Sequence, residues 1–300
     1  LSTCIELAHQ TCYQYDRAVQ LSPHEIRLKP APHCRTPIQS YALHIEPIAQ
    51  SIHWQQDIFS NYIARCIFSQ AVPALTITVK LIADLTAYNP FDFFIEPYAL
   101  QYPFTYSDAL IRDLTPYLHQ EPAGLFMTQF LDQIQQPVEH TGSNRAMSTV
   151  DFLVCVNTQL HRDINYVQRM APGVQSCEET LRARTGSCRD SSWLLVQLLR
   201  HCGIAARFVS GYLIQLKPDH TPLTRPTGPL SDSVDLHAWA EAYIPGAGWI
   251  GLDPTSGLLT AEGHIPLAAT PSPSSAAAVS GSTGLCASTL DAHMQVQRIA

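Results

Sequence analysis

Three hundred residues, 46% of them apolar and with a net charge of −7, describe a soluble globular chain long enough for two ordinary domains. With 25 acidic against 18 basic residues and no Lys/Arg cluster, it lacks the footprint that phosphate backbones or anionic membrane surfaces require, so neither nucleic acid nor a membrane is expected as a partner. No run of about eighteen apolar residues offers a membrane-spanning helix.

The chain begins at Leu1 without the basic-then-apolar layout of a signal peptide. Residues 1–90 read as a β-rich, sandwich-like domain. The strongest signal is Leu75, Ile77, Val79, Leu81, Ala83 and Leu85 alternating with Thr76, Thr78, Lys80 and Asp84, a period of two that sends one face into a core. Shorter alternations run through Tyr41-Leu43-Ile45 and Tyr62 to Phe68, and Pro30, Pro32, Pro37, Pro47 and Asn61 punctuate them as turns. The aromatic, proline-bounded run Asn89 to Pro97 marks the junction to a helical connector, residues 91–145. Ser107 and Asp108 cap a helix that starts at Ala109, Pro122 opens another over Leu125, Phe126, Phe130, Leu131 and Ile134, and Ser148 caps a third over Val150 to Leu160.

Residues 146–267 carry the chemistry. Their order is helix first, then strands: Phe208 to Ile214, a proline-rich loop at 217–234, and two strands, Asp235 to Ile244 and Trp249 to Asp253, joined by the turn Pro245-Gly246-Ala247-Gly248. Helices segregated from antiparallel strands make the class α+β. From Ala268 to Gly284 the composition is that of an Ala/Ser/Pro/Gly-rich arm. A terminal strand, His293 to Ile299, is expected either to fold back on the N-terminal domain or to lead on past Ala300.

The chain is organised around Arg184-Thr185-Gly186-Ser187-Cys188-Arg189-Asp190 and the apolar helix that follows. A Gly-Ser turn brings Cys188 to the first helical turn, where free N–H groups and the helix dipole favour a thiolate over a thiol. Asp190, in the same turn, suits a capping role. The nine cysteines are odd in number and scattered, with no C-x-x-C pair, which fits a reduced cytoplasmic protein in which most thiols are small buried hydrophobes. His33-Cys34, His161 and His201-Cys202 lack further ligands nearby, so neither a metal nor a cofactor is expected.

Downstream lie the groups a nucleophilic sulfur needs next. His237 occupies a strand in which Trp239, Glu241 and Tyr243 share its face, and the small residues Ala238, Ala240 and Ala242 share the other. An imidazole there can take the thiol proton and return it to a leaving amine. Asp253 ends the next strand, where a carboxylate on one ring nitrogen leaves the other for sulfur. Trp239, Glu241, Arg189 and His264 are candidates for lining the cleft or holding substrate, with His264 read as a rim residue in a Gly-rich loop and Arg189 paired with a substrate carboxylate, Asp190 or Glu241. The Cys188 N–H is one oxyanion donor; Tyr166 and Gln175 are open choices for a second.

In order and context, Gly186-Ser187-Cys188-Arg189-Asp190, Asp235 to Glu241 and Gly251-Leu252-Asp253-Pro254-Thr255 resemble the Cys, His and Asp motifs of the transglutaminase-like superfamily. The resemblance implies a papain-like core with Cys188 as nucleophile, His237 as base and acid, and Asp253 as orienter. It is closest to bacterial transglutaminase-like proteins described as cysteine proteases. Tyr15-Asp16-Arg17, Leu21-Ser22-Pro23, Arg27 to Pro30 and Asn89 to Phe94 resemble their β-rich N-terminal region. In some members a further large domain follows the segment like Gly257 to Ala268. The acidic calcium loop and C-terminal barrels of animal tissue transglutaminases are missing from this sequence, so calcium activation is not carried over. The expected activity is hydrolysis of a peptide or amide bond through a Cys thioester, with a peptide or protein as substrate. Transglutamination or deamidation of protein glutamine, and a catalytically silent peptide-binding module, are the alternatives.

Overall fold

Period-two alternation builds the first half of the molecule. In the computed structural model, which describes residues 2–140, 147–218, 229 and 231–299, six strands come first: β1 (Ser2–Val19), β2 (His24–Ile26), β3 (Ile38–Glu46), β4 (Ser51–Gln56), β5 (Tyr62–Ile67) and β6 (Val72–Thr86). Along β6, Leu75, Ile77, Val79, Leu81, Ala83 and Leu85 are all buried, as their alternation with polar residues requires. Along β1 the buried set is Ile5, Leu7, His9, Thr11 and, past a break in the register, Val19. β1 and β3 flank β6 in one antiparallel sheet, β4 and β2 flank β5 in another, and Ile26, Ala64 and Cys66 of the second sheet meet Ile5, Leu7, Leu75 and Ile77 of the first in one core.

Helices dominate the next stretch: β7 (Gln101–Tyr102), α1 (Asp108–Leu118), α2 (Leu125–His140), β8 (Met147–Ser148), α3 (Thr149–Asp163), β9 (Asn165–Tyr166), α4 (Cys177–Ala183), β10 (Thr185–Gly186) and α5 (Cys188–His201). Ser107 and Ser148 cap α1 and α3 as their sequences predict, accepting from the N–H groups of Leu110 and Asp151. α2 starts at Leu125, and its first N–H groups are met from another helix: Glu178 of α4 accepts from Phe126 and Met127 at 3.1 and 2.8 Å. α5 is buried from Asp190 to Arg200. Its one interior cation, Arg200, donates to the carbonyls of His119, Ala206 and Pro271, and burial lowers its pKa to about 10.

Against α5 lies an antiparallel sheet of β11 (Ala206–Gln215), β12 (Ser233–Ile244), β13 (Gly248–Asp253), β14 (Leu258–Leu259) and β15 (His264–Thr270), in the order β14-β13-β12-β11-β15. The alanines of β12 explain how the helix comes so near: Ala238, Ala240 and Ala242 pack with Leu194, Leu195, Leu198 and Leu199. The β12–β13 turn is made by Gly246 and Gly248, both with positive φ (86° and 77°). Most of the proline-rich loop read at 217–234 lies outside the described residues.

Two expectations change here. His264 opens a strand rather than sitting in a loop, and residues 268–270, read from composition as the start of an arm, complete β15 with Ala268, Ala269 and Thr270 buried. Small side chains mark linkers and tightly packed strands alike, and only the packing tells them apart. Farther on, β16 (Val279–Ser280) pairs with β2, and β17 (Ser288–Arg298) pairs with β1 from Tyr15↔Ser288 to Ile5↔Arg298, so the chain end returns to the first sheet. The two halves share a core: Tyr212, Ile214, Ile265 and Leu267 of the second sheet pack among the residues of β1 and β6. Buried His9 of β1 bonds Tyr212 Oη at 2.8 Å across that junction.

Candidate active site

The approach to Cys188 is a short, over-determined turn. α4 ends with Arg184 in the left-handed region (φ 52°), and β10 then pairs with β9 before the chain enters α5. Gly186 is pressed against the helix: a Cβ there would lie 3.0 Å from the Asp190 Cβ and 3.2 Å from Thr180 Cγ2. Asp190 gathers the surrounding donors. Its Oδ2 accepts from Ser187 N (2.8 Å), Ser187 Oγ (2.7 Å) and Arg169 Nε (2.9 Å), and its Oδ1 from Gln175 N (2.7 Å) and Arg169 Nη2 (2.8 Å). Burial opposes the carboxylate, but Arg169 and the N–H and hydroxyl donors overcome it and hold the pKa at about 2. Asp190 thus caps the helix, as its position predicts. Cys188 follows Ser187 as the first residue of α5, half-buried, its N–H left free by helix geometry and pointing with the dipole.

His237 and Asp253 come from neighbouring strands. β12 and β13 pair from Ile244↔Gly248 to Ala240↔Leu252, and Asp253 leaves the ladder at the next residue. The Nε2–H of His237 donates to Asp253 Oδ2 at 3.1 Å. Thr255 donates to Oδ1 through both its N–H (2.9 Å) and its hydroxyl (2.8 Å). Asn157 of α3, fully buried, ties the loop down by donating to the carbonyls of Asp253 (3.3 Å) and Leu258 (3.0 Å). Burial would lower the pKa of His237, but hydrogen bonds to Asp253 and Cys188 outweigh it and push it up to about 10; hydrogen bonds from His237 and His264 hold Asp253 well below the usual carboxylate range against its own burial. With Nε2 occupied by the carboxylate, Nδ1 is the ring nitrogen left for sulfur. The arrangement can keep a thiolate beside an imidazolium and move one proton between sulfur and a leaving group.

The other sequence candidates are placed differently. Trp239 and Glu241 share a face with His237 but are buried, 1% and 7% exposed, and with His33, Arg35 and Tyr88 from the N-terminal part of the chain they line a small pocket. Glu241 binds Arg207 at 2.6 Å, with His33 at 3.7 Å; Arg207 and His33 overcome burial and hold its pKa at about 2. Arg189 meets neither Asp190 nor Glu241; it donates to the carbonyls of Arg169 and Ala171, fastening the segment that passes over the helix start. Gln175 is drawn in by its backbone, with its side-chain oxygen accepting from Thr180. Tyr166 stands 58% exposed beside Cys188, its phenol pKa raised by burial and then by the charge on the sulfur. Arg169 and Asn157 carry no sequence signal, since each acts on a residue distant in the chain; Thr255 could have been read from Asp253-Pro254-Thr255, where a hydroxyl two residues past a carboxylate suits an Asx turn.

His264 joins the site from β15. Its Nε2 lies 3.3 Å from Asp253 Oδ2, and its Nδ1 accepts from the N–H of Ala261 at 3.2 Å. The ligand atoms of His237, Asp253 and His264 lie within 4.8 Å of one another, a spacing a metal ion could use. The donor chemistry points away from one. A metal-bound imidazole donates its other N–H to an acceptor, whereas the other nitrogen of His264 faces a donor.

Two stretches of the chain match known protein families. Residues 136–254 match the transglutaminase-like superfamily, and residues 5–84 match the bacterial transglutaminase-like N-terminal region. An uncharacterised protein of Mycobacterium tuberculosis is 27% identical over 276 residues, spanning 86% of this chain and 81% of that protein. A protein-glutamine gamma-glutamyltransferase of Pseudomonas aeruginosa is 37% identical over 73 residues, which is 24% of this chain and 10% of that one. Among solved structures, one from Cytophaga hutchinsonii, named a "Putative Cysteine Protease", superposes with a TM-score of 0.70 at 17% identity, covering 100% of this chain and 92% of that one, a likeness of fold.

Proposed function

We propose that this chain, a member of the transglutaminase-like superfamily through residues 136–254, transfers acyl groups from peptide or amide bonds through a thioester on Cys188, with water as the usual acceptor. The observation that carries the reading is His237 held between Cys188 and Asp253, with its pKa raised to about 10 by hydrogen bonds to both that outweigh burial. The Cys188 thiolate attacks the carbonyl carbon, and the oxyanion meets the free Cys188 N–H at the start of α5. His237 gives its proton to the departing amine as the C–N bond breaks. A water molecule, deprotonated by His237, then attacks the thioester, releases the acid and restores the sulfur–imidazolium pair. Tyr166, Val167 and Met170, exposed apolar side chains on the segment beside Cys188, support a peptide rather than a highly charged substrate.

Transfer to an amine is the second reading, favoured by the matched stretch of the Pseudomonas aeruginosa protein-glutamine gamma-glutamyltransferase. It uses the same thioester and differs only in the second nucleophile. Mass spectrometry of an unfolded protein substrate incubated with the parent chain and with Cys188→Ala separates the two. Cleaved backbones supported by Cys188 indicate hydrolysis, and joined chains that have lost ammonia indicate transfer. Unaltered substrate together with no acyl adduct on Cys188 would contradict both.

A further inference from the structure

Two histidines reach the same carboxylate oxygen. Oδ1 of Asp253 is used within its own loop, by the N–H and hydroxyl of Thr255, so Oδ2 alone faces the imidazoles. One of its acceptor directions serves His237 at 3.1 Å and the other serves His264 at 3.3 Å. The tautomer of His264 follows from its neighbours. Its Nδ1 accepts from the Ala261 N–H at 3.2 Å while its own backbone N–H donates to the Ala261 carbonyl at 2.9 Å, so the ring proton sits on Nε2 and is aimed at Asp253. The ring itself is fixed: its backbone pairs with Leu213 of β11, and its plane stands edge-on to buried Trp239 with centroids 5.2 Å apart. Asp253 is 1% exposed, so a second acceptor direction left empty would stay empty, and Oδ2 would be held by His237 alone.

We propose that His264 is a positioning residue, whose Nε2–H, together with the Thr255 donors, locks the plane of the Asp253 carboxylate and thereby the orientation of His237 toward Cys188. The role deepens the acyl-transfer reading and rests on it, yet the lock can be tested separately. His264→Gln preserves it, because an amide nitrogen can donate to Asp253 while the amide oxygen accepts from Ala261; His264→Met removes both bonds at similar volume.

With ¹⁵N-labelled histidine, the Nε2–H of His237 bound to Asp253 should give a protected, downfield proton resonance in the parent and in His264→Gln, and that resonance should broaden or vanish in His264→Met. Alkylation of Cys188 at pH 6 should slow about tenfold in His264→Met and stay near the parent rate in His264→Gln. A purely structural role would lower the melting temperature of His264→Met and leave the resonance and the labelling rate, taken well below that temperature, unmoved; that result overturns the proposal. So does a resonance lost equally from Gln and Met variants that melt as the parent does. If Cys188 of the parent labels as an ordinary thiol, the acyl-transfer reading fails, and the His237 resonance still decides the part played by His264.

Discussion

Asp190→Asn should detach the nucleophile from its scaffold without touching the nucleophile. The carboxylate is 1% exposed and takes five hydrogen bonds, two of them from Arg169. Its pKa falls from 3.8 to about 2 because those donors outweigh burial, which by linkage corresponds to about 2 kcal/mol of folding stability. An amide also turns an N–H₂ group toward donors and leaves the Arg169 guanidinium, 19% exposed, without its counter-charge, so the total loss at pH 7 should be about 3 kcal/mol. The sign with pH is fixed: a depressed carboxylate stabilises above its unfolded value and loses that contribution as pH falls through its folded one. Urea unfolding of parent and variant from pH 7 to pH 3 should therefore show a gap that is widest at neutral pH and narrows below about pH 4. A gap under about 0.5 kcal/mol at pH 7, the size of an ordinary surface change, or one that does not vary with pH, would refute the assignment of Asp190 as the organiser of this turn.

Two further outcomes probe the frame around the site. Burial lowers the pKa of His9 from 6.5 to about 4, so the unfolded chain binds the extra proton in that window and stability falls as pH drops from 6.5 to 4, by about 3 kcal/mol in all; acid titration of unfolding should lose this component in His9→Gln, and identical profiles would contradict it. Gly211→Ala places a Cβ against the Ile265 carbonyl and the ring of Trp239, and the overpacking should cost about 1–3 kcal/mol in denaturant melts; an unchanged midpoint would mean that the Trp239 pocket is looser than its contacts indicate.

What could be read from the sequence, and what could not, divides along contact range. Cys188 was legible because its signals are local: a Gly-Ser turn, a polar cap and an apolar helix within a dozen residues. His237 and Asp253 were legible because a glycine-bounded turn of four residues forces their strands together. The period of two placed Trp239 and Glu241 on one face, but nothing local says that His33, Arg35 and Tyr88 meet it there. Arg169 and Asn157 act on side chains and loops reached only through the fold. His264 was hidden by its setting between Gly263 and Pro266, which reads as a loop although the strand it opens is buried from Ile265 to Thr270. The same ambiguity concealed the end of β15, residues 268–270, inside an Ala/Ser/Pro-rich stretch, where alanine serves close packing rather than chain flexibility.

The central claim is that His237 and Cys188 act as a proton-sharing pair, and the most direct measurement is the rate of Cys188 alkylation against pH, mapped by mass spectrometry in the parent and in His237→Ala. The proposed pair predicts fast labelling at pH 6 in the parent that is lost in His237→Ala, whose labelling should rise only toward the free-thiol range of about 8.5. Slow labelling at pH 6 in both proteins, with superimposable pH curves, would contradict it.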